Sequence, residues 1–387
     1  MNQSPAAESK LFTPFNLIAG FILAGGAVVL LIRFVQGLGA TTNLTHDYPW
    51  GLWIGFDVMS GVALAAGGFV TSSAVYLFGM KEYKPIVRPA LLTAFLGYFL
   101  VVVGLLADLG RPWRLPYPFI IQAGPTSALF EVALCVALYL TVLFIESTPP
   151  AFERLGFKRL HKIVTKMTIA LTIFGVILST MHQSSLGALF AITPTKLHPL
   201  WYSTQIPVHF FVSAVAAGIS MVIVESMLSH RAFSDKVEIS HQQLDQITVG
   251  LAKGGAVTLA VYFAVKMVSI VLEDDWHYFG TGWGAWFLVE MLGFVLLPCF
   301  LFLMGYREKR AGLIRVSAVI TVLGIMLNRF NVCFIAFNWK LENRYLPHWM
   351  EIWVTVALVT FGVVAFKWIA EHLPILREHP DYKGTQH

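Results

Sequence analysis

Four carboxylates stand in stretches that are otherwise apolar: Asp57 in WIGFDVMS, Asp108 in VGLLADLG, Glu131 in SALFEVAL and Glu290 in WFLVEMLG. Arg33, Arg111, the string His182-Gln183-Ser184-Ser185, Trp201 and His209 accompany them, while Lys266, Asn328, Arg329 and Asn331 lie deeper in apolar sequence. A charge in apolar surroundings costs about 2.5–3.5 kcal/mol on insertion scales, so each of these groups needs a reason to be there. Two chemistries fit. Ion pairing would glue helices together, with Arg329 and Lys266 each neutralising a carboxylate on a neighbour. Proton transfer would use the carboxylates and imidazoles as carriers, because these groups exchange protons near neutral pH.

The surrounding residues define the elements that hold these groups. The chain has 387 residues, 57% hydrophobic and 13% charged, with a mean hydropathy of +0.69. Soluble domains carry about a quarter charged residues, so this composition leaves too little charge to cover a water-facing surface. Its apolar runs are about 20 residues long, the length of a membrane-spanning helix and not of an alternating barrel strand. The sequence therefore predicts an all-α integral membrane protein of about ten transmembrane helices. They are expected at 15–35, 52–78, 88–107, 126–146, 163–181, 206–228, 247–272, 282–305, 313–337 and 350–373. Turn and breaker residues punctuate them at Tyr83-Lys84-Pro85, Gly110-Arg111-Pro112, Pro149-Pro150 and the glycines at 280, 282 and 284. The first apolar run reads as a retained helix. The expected organisation is a tail at 1–14, a membrane domain at 15–373 and a tail at 374–387.

Ten spans put both termini on one side. Seventeen of the 27 Lys and Arg residues fall on that side, against six on the other (Arg33, Arg111, Arg114, Lys196, Lys340 and Arg344). Positive charge stays in the cytoplasm, so both termini are expected there. The opposite face has the longer connections and many aromatic residues, including Tyr48, Trp50, Trp113, Tyr117, Trp201 and Tyr202. Such a face suits membrane anchoring and the docking of an outside partner. On this map Asp57, Asp108, Glu131 and Glu290 lie roughly 0–12 Å below the outer surface. His182 ends the fifth helix and His209 enters the sixth. Protonatable groups crowded toward one face, beside an aromatic entrance, suit a quinone head group. Its carbonyls accept hydrogen bonds and its reduction takes up two protons.

Metal chemistry has little footing. Cys135, Cys299 and Cys333 are far apart and no Cys-x-x-Cys occurs, so no iron–sulfur cluster or zinc site is expected in this chain. A single haem between His182 and His209 is the one bis-histidine geometry the map permits. Electron transfer would thus need a redox partner outside the chain. The net charge of +5 sits in short loops and does not indicate nucleic acid. Gly51-x-x-x-Gly55 and Gly61, Gly67 and Gly68 mark close helix packing.

The strings YPWGLWIGFD (48–57), VRPALL (87–92), DLGRPW (108–113), LFEVALC (129–135), FERLG (152–156), MHQSSLG (181–187), HPLW (198–201) and AFN (336–338) come in a telling order and spacing. Together they resemble the NrfD/polysulfide-reductase (PsrC-like) family of membrane subunits, in its branch of HybB-type subunits of periplasmically oriented NiFe hydrogenases. The resemblance runs from about residue 15 to 375. It implies eight core helices in two four-helix bundles, plus additional helices, in the bacterial inner membrane. It implies no haem, and electron exchange between a quinone, usually menaquinone, and a periplasmic ferredoxin-like iron–sulfur subunit serving the large and small NiFe hydrogenase subunits. Carried over by motif, Asp57, Asp108, Arg111, Glu131 and His182 match polar positions of the family pattern. On that reading the quinone-binding candidates are His182, Gln183, Asp108, Arg111, Trp201 and His209, and the proton-transfer candidates are Asp57, Glu131, Glu290 and Arg329. The chain departs from the pattern after AFN, where AFNW replaces an expected glycine-rich stretch, so no role passes to Asn338. The alternatives are a subunit of this type serving a polysulfide, nitrite or cytochrome c-linked quinone reductase, or a secondary transporter, whose solute site would lie at mid-membrane in broken helices.

Overall fold

The computed structural model describes residues 13–377, so most of both expected tails lies outside the described residues. Ten helices are long and apolar enough to cross a membrane: α1 (Pro14–Gln36), α2 (Trp53–Leu77), α3 (Lys81–Asp108), α4 (Ala128–Leu155), α5 (Lys158–Ala191), α6 (Ile206–Ala232), α7 (His241–Glu273), α8 (Gly282–Glu308), α9 (Ala311–Ile335) and α10 (Trp349–His372). Most ends fall within a few residues of expectation. Pro85 lies in the first turn of α3, where a missing N–H costs nothing. Pro149-Pro150 opens a further helical stretch, Pro149–Leu155, which Gly156 ends at φ 73°. α7 starts at a capping box in which Ser240 and Gln243 satisfy each other's backbone N–H groups.

The largest departure is α5. It does not stop near residue 181 but continues to Ala191, so His182 and Gln183 lie inside the helix and not at its end. The polar string mimics a helix terminus in sequence. In the fold His182 and Gln183 find partners on neighbouring helices, Ser185 bonds back to the Met181 carbonyl, and the backbone continues to the turn before Pro194.

Helices α2, α3, α4 and α5 pack together, as do α6, α7, α8 and α9. Contacts of α5 and α2 with α6, and of α2 with α9, join the two groups; α1 and α10 pair along the outside and rest on α3. One end of the assembly gathers the start of α3, the α6–α7 connection and the chain beyond α10. There Arg88 donates to the Pro374 carbonyl at 3.0 Å and Lys236 to that of Glu371 at 3.2 Å. This is the termini end. At the opposite end, a short antiparallel bridge joins Leu197 and Phe337, and the Asn43 N–H donates to Glu351 at 2.9 Å.

Three helices are locally widened into π-helical turns, at Trp53–Ser60 and Ser73–Leu77 in α2, Val289–Leu296 in α8 and Asn331–Ile335 in α9. Such turns re-aim side chains and recur at functional sites. Asp57 and Glu290 both lie in them. α2 is also interrupted at Ala65-Ala66, where the Ala66 N–H turns to the Ala63 carbonyl.

Backbone meets backbone where α2 crosses α6. A Cβ on Gly67 would lie 2.9 Å from the Gly218 carbonyl oxygen, and one on Gly218 would lie 2.6 Å from the Gly67 nitrogen. Gly51 and Gly55 also pack closely, against Tyr345 and Phe334, as their spacing suggested. Gly218→Val should therefore push the helices apart. We expect a loss of about 1–3 kcal/mol, seen as a lower melting temperature of the detergent-solubilised protein. Gly39→Ala, which meets nothing within 4 Å, should leave the melt unchanged.

Candidate functional site

The polar residues gather in three places. The first lies within the α2–α5 group. His182 accepts the Tyr98 hydroxyl at its Nε2, 2.6 Å away, while its Nδ1 lies 3.0 Å from the Leu178 carbonyl. A carbonyl can only accept, so the geometry assigns the proton to Nδ1 and a neutral ring that accepts from Tyr98. Tyr139 stands edge-on to Tyr98 with centroids 4.7 Å apart. Gln183 donates to the Val62 carbonyl at 2.9 Å, just before the break in α2. Tyr98, His182 and Gln183 are 0% exposed and Tyr139 is 1% exposed, so this cluster is sealed. The Ser179 hydroxyl lies beside those of Tyr98 and Tyr139, Gln183 also neighbours the Tyr98 hydroxyl, and Tyr139 lies beside the backbone of Phe69.

The second place lies within the α6–α9 group. Glu290 accepts from Trp201 Nε1 at 2.7 Å, from Asn328 Nδ2 at 2.7 Å and from Asn331 Nδ2. Asn331 in turn accepts from Trp286 Nε1 at 3.0 Å. Arg329 donates to Asn328 at 2.7 Å, to Ser213 at 2.8 Å and to the Phe210 carbonyl at 3.2 Å, with its guanidinium 3.8 Å from the centre of the Phe210 ring. Lys266 points to the Trp201 carbonyl at 3.4 Å. Ion pairing through Arg329 and Lys266 is therefore not what the fold makes. Among the described residues neither cation comes within 4 Å of a carboxylate. The helix period gives the reason: Asn328 and Asn331, three apart, share the face toward α8, while Arg329 is turned toward α6. His209 meets Ser269 of α7 at 2.9 Å, so His209 and His182 are held by different helices and do not face each other.

The third place is at the opposite end, among α1, α2, α3 and α10. Asp57 accepts from Thr355 at 2.8 Å, and its Cβ packs where Gly104 leaves room. Arg33 donates to the Ala107 and Leu109 carbonyls, where the C-terminal pole of α3 favours a cation. Asp108, half-buried beside it, has an Oδ1 without a partner among the described residues. Glu351 accepts from the N–H groups of Asn43 and His348, at 2.9 and 3.0 Å, and from the Tyr345 hydroxyl. Arg111 is exposed in the α3–α4 connection. Glu131 occupies the first turn of α4, half-buried, and its carboxylate makes no hydrogen bond among the described residues.

The ten residues singled out in sequence therefore do not form one pocket. His182 and Gln183 stay together, as do Trp201, Glu290 and Arg329 with His209 nearby, and as do Asp57 and Asp108. Sequence reasoning missed Tyr98, which sits unremarkably in FLGYFL. It also missed Glu351, although the His348-x-x-Glu351 capping pattern ahead of an apolar run was a readable signal. Glu225 was missed too. It accepts from Ser229 at 2.6 Å and lines a cavity of about 360 Å³ at the termini end. A lone carboxylate in ISMVIVESML carried the same insertion penalty as the four that were noticed.

Outside the spans, His198 is fully buried in a ring of Trp201, Tyr278, Trp283 and Trp339, with centroids 4.6–5.6 Å away. Burial pushes its pKa down to about 4.

Ten apolar helices enclosing separate protonatable clusters define a polytopic membrane protein. Among the described residues, no group of three or more His, Cys, Asp or Glu is placed to hold a metal ion. Residues 40–338 match the family described as polysulphide reductase, NrfD, and the chain belongs to that family. A protein of Nitratidesulfovibrio vulgaris (strain Hildenborough) is 55% identical over 99% of this chain and 100% of its own length. The probable Ni/Fe-hydrogenase 2 b-type cytochrome subunit of Escherichia coli (strain K12) is 31% identical over 98% of this chain and 95% of its own. The integral membrane subunit of menaquinone reductase from the same N. vulgaris strain is 26% identical over 93% and 91%.

Two outcomes follow from this geometry. Glu290→Leu would leave three buried donors unpaired and should destabilise the detergent-solubilised protein by about 3–5 kcal/mol, with Glu290→Gln costing clearly less in the same melt. His198 resists protonation in the fold but not when unfolded. Its contribution is complete above the unfolded value of about 6.5 and is lost as pH falls toward about 4. The melting temperature should decline across that window, and His198→Gln should flatten the decline.

Proposed function

We propose that this chain is the quinone-reactive membrane subunit of a respiratory oxidoreductase. In this reading it passes electrons between a periplasmic iron–sulfur subunit of a NiFe hydrogenase and the menaquinone pool of the bacterial inner membrane. Both termini are cytoplasmic, and α2–α5 and α6–α9 are the two four-helix bundles. The relatives named for hydrogenase and for menaquinone reductase support the assignment. We expect no haem.

The observation that carries the reading is the sealed Tyr98–His182 hydrogen bond of 2.6 Å. A buried phenol donating to a neutral imidazole joins two proton-exchanging groups: Tyr98 can hand its proton to Nε2 as it takes another on its far side. The imidazolium then passes one to a group other than the Leu178 carbonyl, which cannot carry it. A bound quinone supplies the chemistry that needs such a relay, since taking up two electrons leaves it short of two protons. Because His182 is fully enclosed, its part is to hold and move a proton, not to touch the ring. Asp108, half-buried, and the exposed Arg111 are the groups that would meet a head group arriving from lipid at the end opposite the termini. Asp108 lies ten residues beyond Tyr98, about 15 Å along α3. Trp201 and His209 serve the Glu290 network and the α6–α7 contact. The break in α2 is closed by Gln183, which favours this reading over a transporter with a solute site there.

The test uses the intact complex purified from membranes. In His182→Asn and Tyr98→Phe, reduction of a water-soluble naphthoquinone should fall by about 10²–10⁴-fold, while dye reduction at the catalytic partner stays at the wild-type rate. Full quinone turnover in both variants would reject the relay. The metals and subunits that co-purify decide between a hydrogenase and another quinone-linked partner.

A further inference from the structure

The interface of α4 and α5 carries polar groups along almost its whole length. On α4, Glu131, Cys135, Tyr139 and Glu146 follow at steps of four, four and seven, which keeps them on one face. On α5, Thr165, Thr172 and Ser179 recur every seven residues and lead to His182 and Gln183. The other face of α5, with Ile163, Met167, Phe174, Ile177 and Met181, is exposed as a lipid-facing surface would be. The hydroxyls therefore point inward by selection of face.

At the termini end, Glu146 accepts from Thr172 at 3.1 Å and lines a small cavity with Arg88, Ser147, Thr165 and Thr168. The Thr165 hydroxyl has no partner among the described residues; further in, the Ser179 hydroxyl lies beside the hydroxyls of Tyr139 and Tyr98. A buried hydroxyl left unpaired is costly, and a row of neighbouring hydroxyls with water in the gaps is what a proton wire is made of. Tyr139 then meets Tyr98 edge-on, and Tyr98 ends on His182.

We propose that this seam is a proton wire, and that Glu146 is its entry carboxylate from the termini end. The proposal rests on the Tyr98–His182 relay and gives it a source. Each proton released from the pair is replaced by one that moves from Glu146 past Thr172, Tyr139 and Ser179, and Glu146 is recharged from water in the cavity. No electron moves along this path. From Glu146 to Tyr139 is seven residues, about 10 Å along the helix, a gap that the Thr172 hydroxyl and one or two waters span. Glu131 holds the same face at the far end of α4, about 22 Å from Glu146.

The complex, reconstituted in liposomes with a pH-sensitive dye on the termini side and a naphthoquinone as acceptor, provides the test. Wild type should take up protons from that side during turnover. Glu146→Gln should lower the uptake by about tenfold, and Glu146→Asp should restore most of it. Wild-type uptake in Glu146→Gln would overturn the proposal. If that variant does not assemble, Thr172→Val combined with Ser179→Ala should slow uptake instead, and an unchanged rate there is equally fatal. A wild-type complex that fails to reduce quinone at all would overturn the redox reading and not the wire, so the two failures are distinguishable.

Discussion

At membrane depth a polar group has no water to fall back on, and every donor and acceptor must be answered by the protein. That constraint organises this molecule. Glu290 is answered by an indole and two carboxamides, Arg329 by a carboxamide, a serine, a carbonyl and a phenyl face, and Arg33 by the carbonyls that end α3. Burying charges next to neutral dipoles spreads each charge without committing two ions to each other. Such groups keep the freedom to gain or lose a proton that a tight ion pair removes.

The same constraint makes the helix irregularities informative. A π-helical turn or a break changes which backbone groups are free, and each freed group needs a partner. The interruption at Ala65-Ala66 leaves the Val62 carbonyl to Gln183, and this ties the middle of α5 to α2 next to the His182 relay. The wide turn in α8 delivers Glu290 to two asparagines on α9. Close glycine contact between α2 and α6 then locks the two helix groups together around these networks.

The three polar clusters are structurally separate. The one at the end opposite the termini holds Asp57, the half-buried Asp108 and the exposed Arg111. The sealed one, with Tyr98 and His182, sits inside the α2–α5 group beside the α4–α5 seam. The Glu290 network holds the α6–α9 group together. The chain's relatives include proteins named as a Ni/Fe-hydrogenase subunit and a menaquinone reductase subunit, and under the proposed function electron entry and proton supply would fall to different clusters.

Hydrophobic run length alone determined the number of helices and most of their ends, because spanning a bilayer demands about twenty apolar residues whatever the neighbours are. It also picked out the intramembrane charges, since each violates that demand. What sequence could not decide was partnership. His182 read as a helix end because a polar string looks like one, and only α3 and α2 packed alongside show that it is interior. Arg329 and Lys266 read as ion-pair partners because charge sign is visible in sequence and direction is not. Tyr98 was silent, an aromatic among aromatics, until the crossing of α3 and α5 brought its hydroxyl to an imidazole 84 positions away. Helix period is a local property, written in one segment; contact between segments is set by packing across the whole bundle, and the site's chemistry depends on that packing.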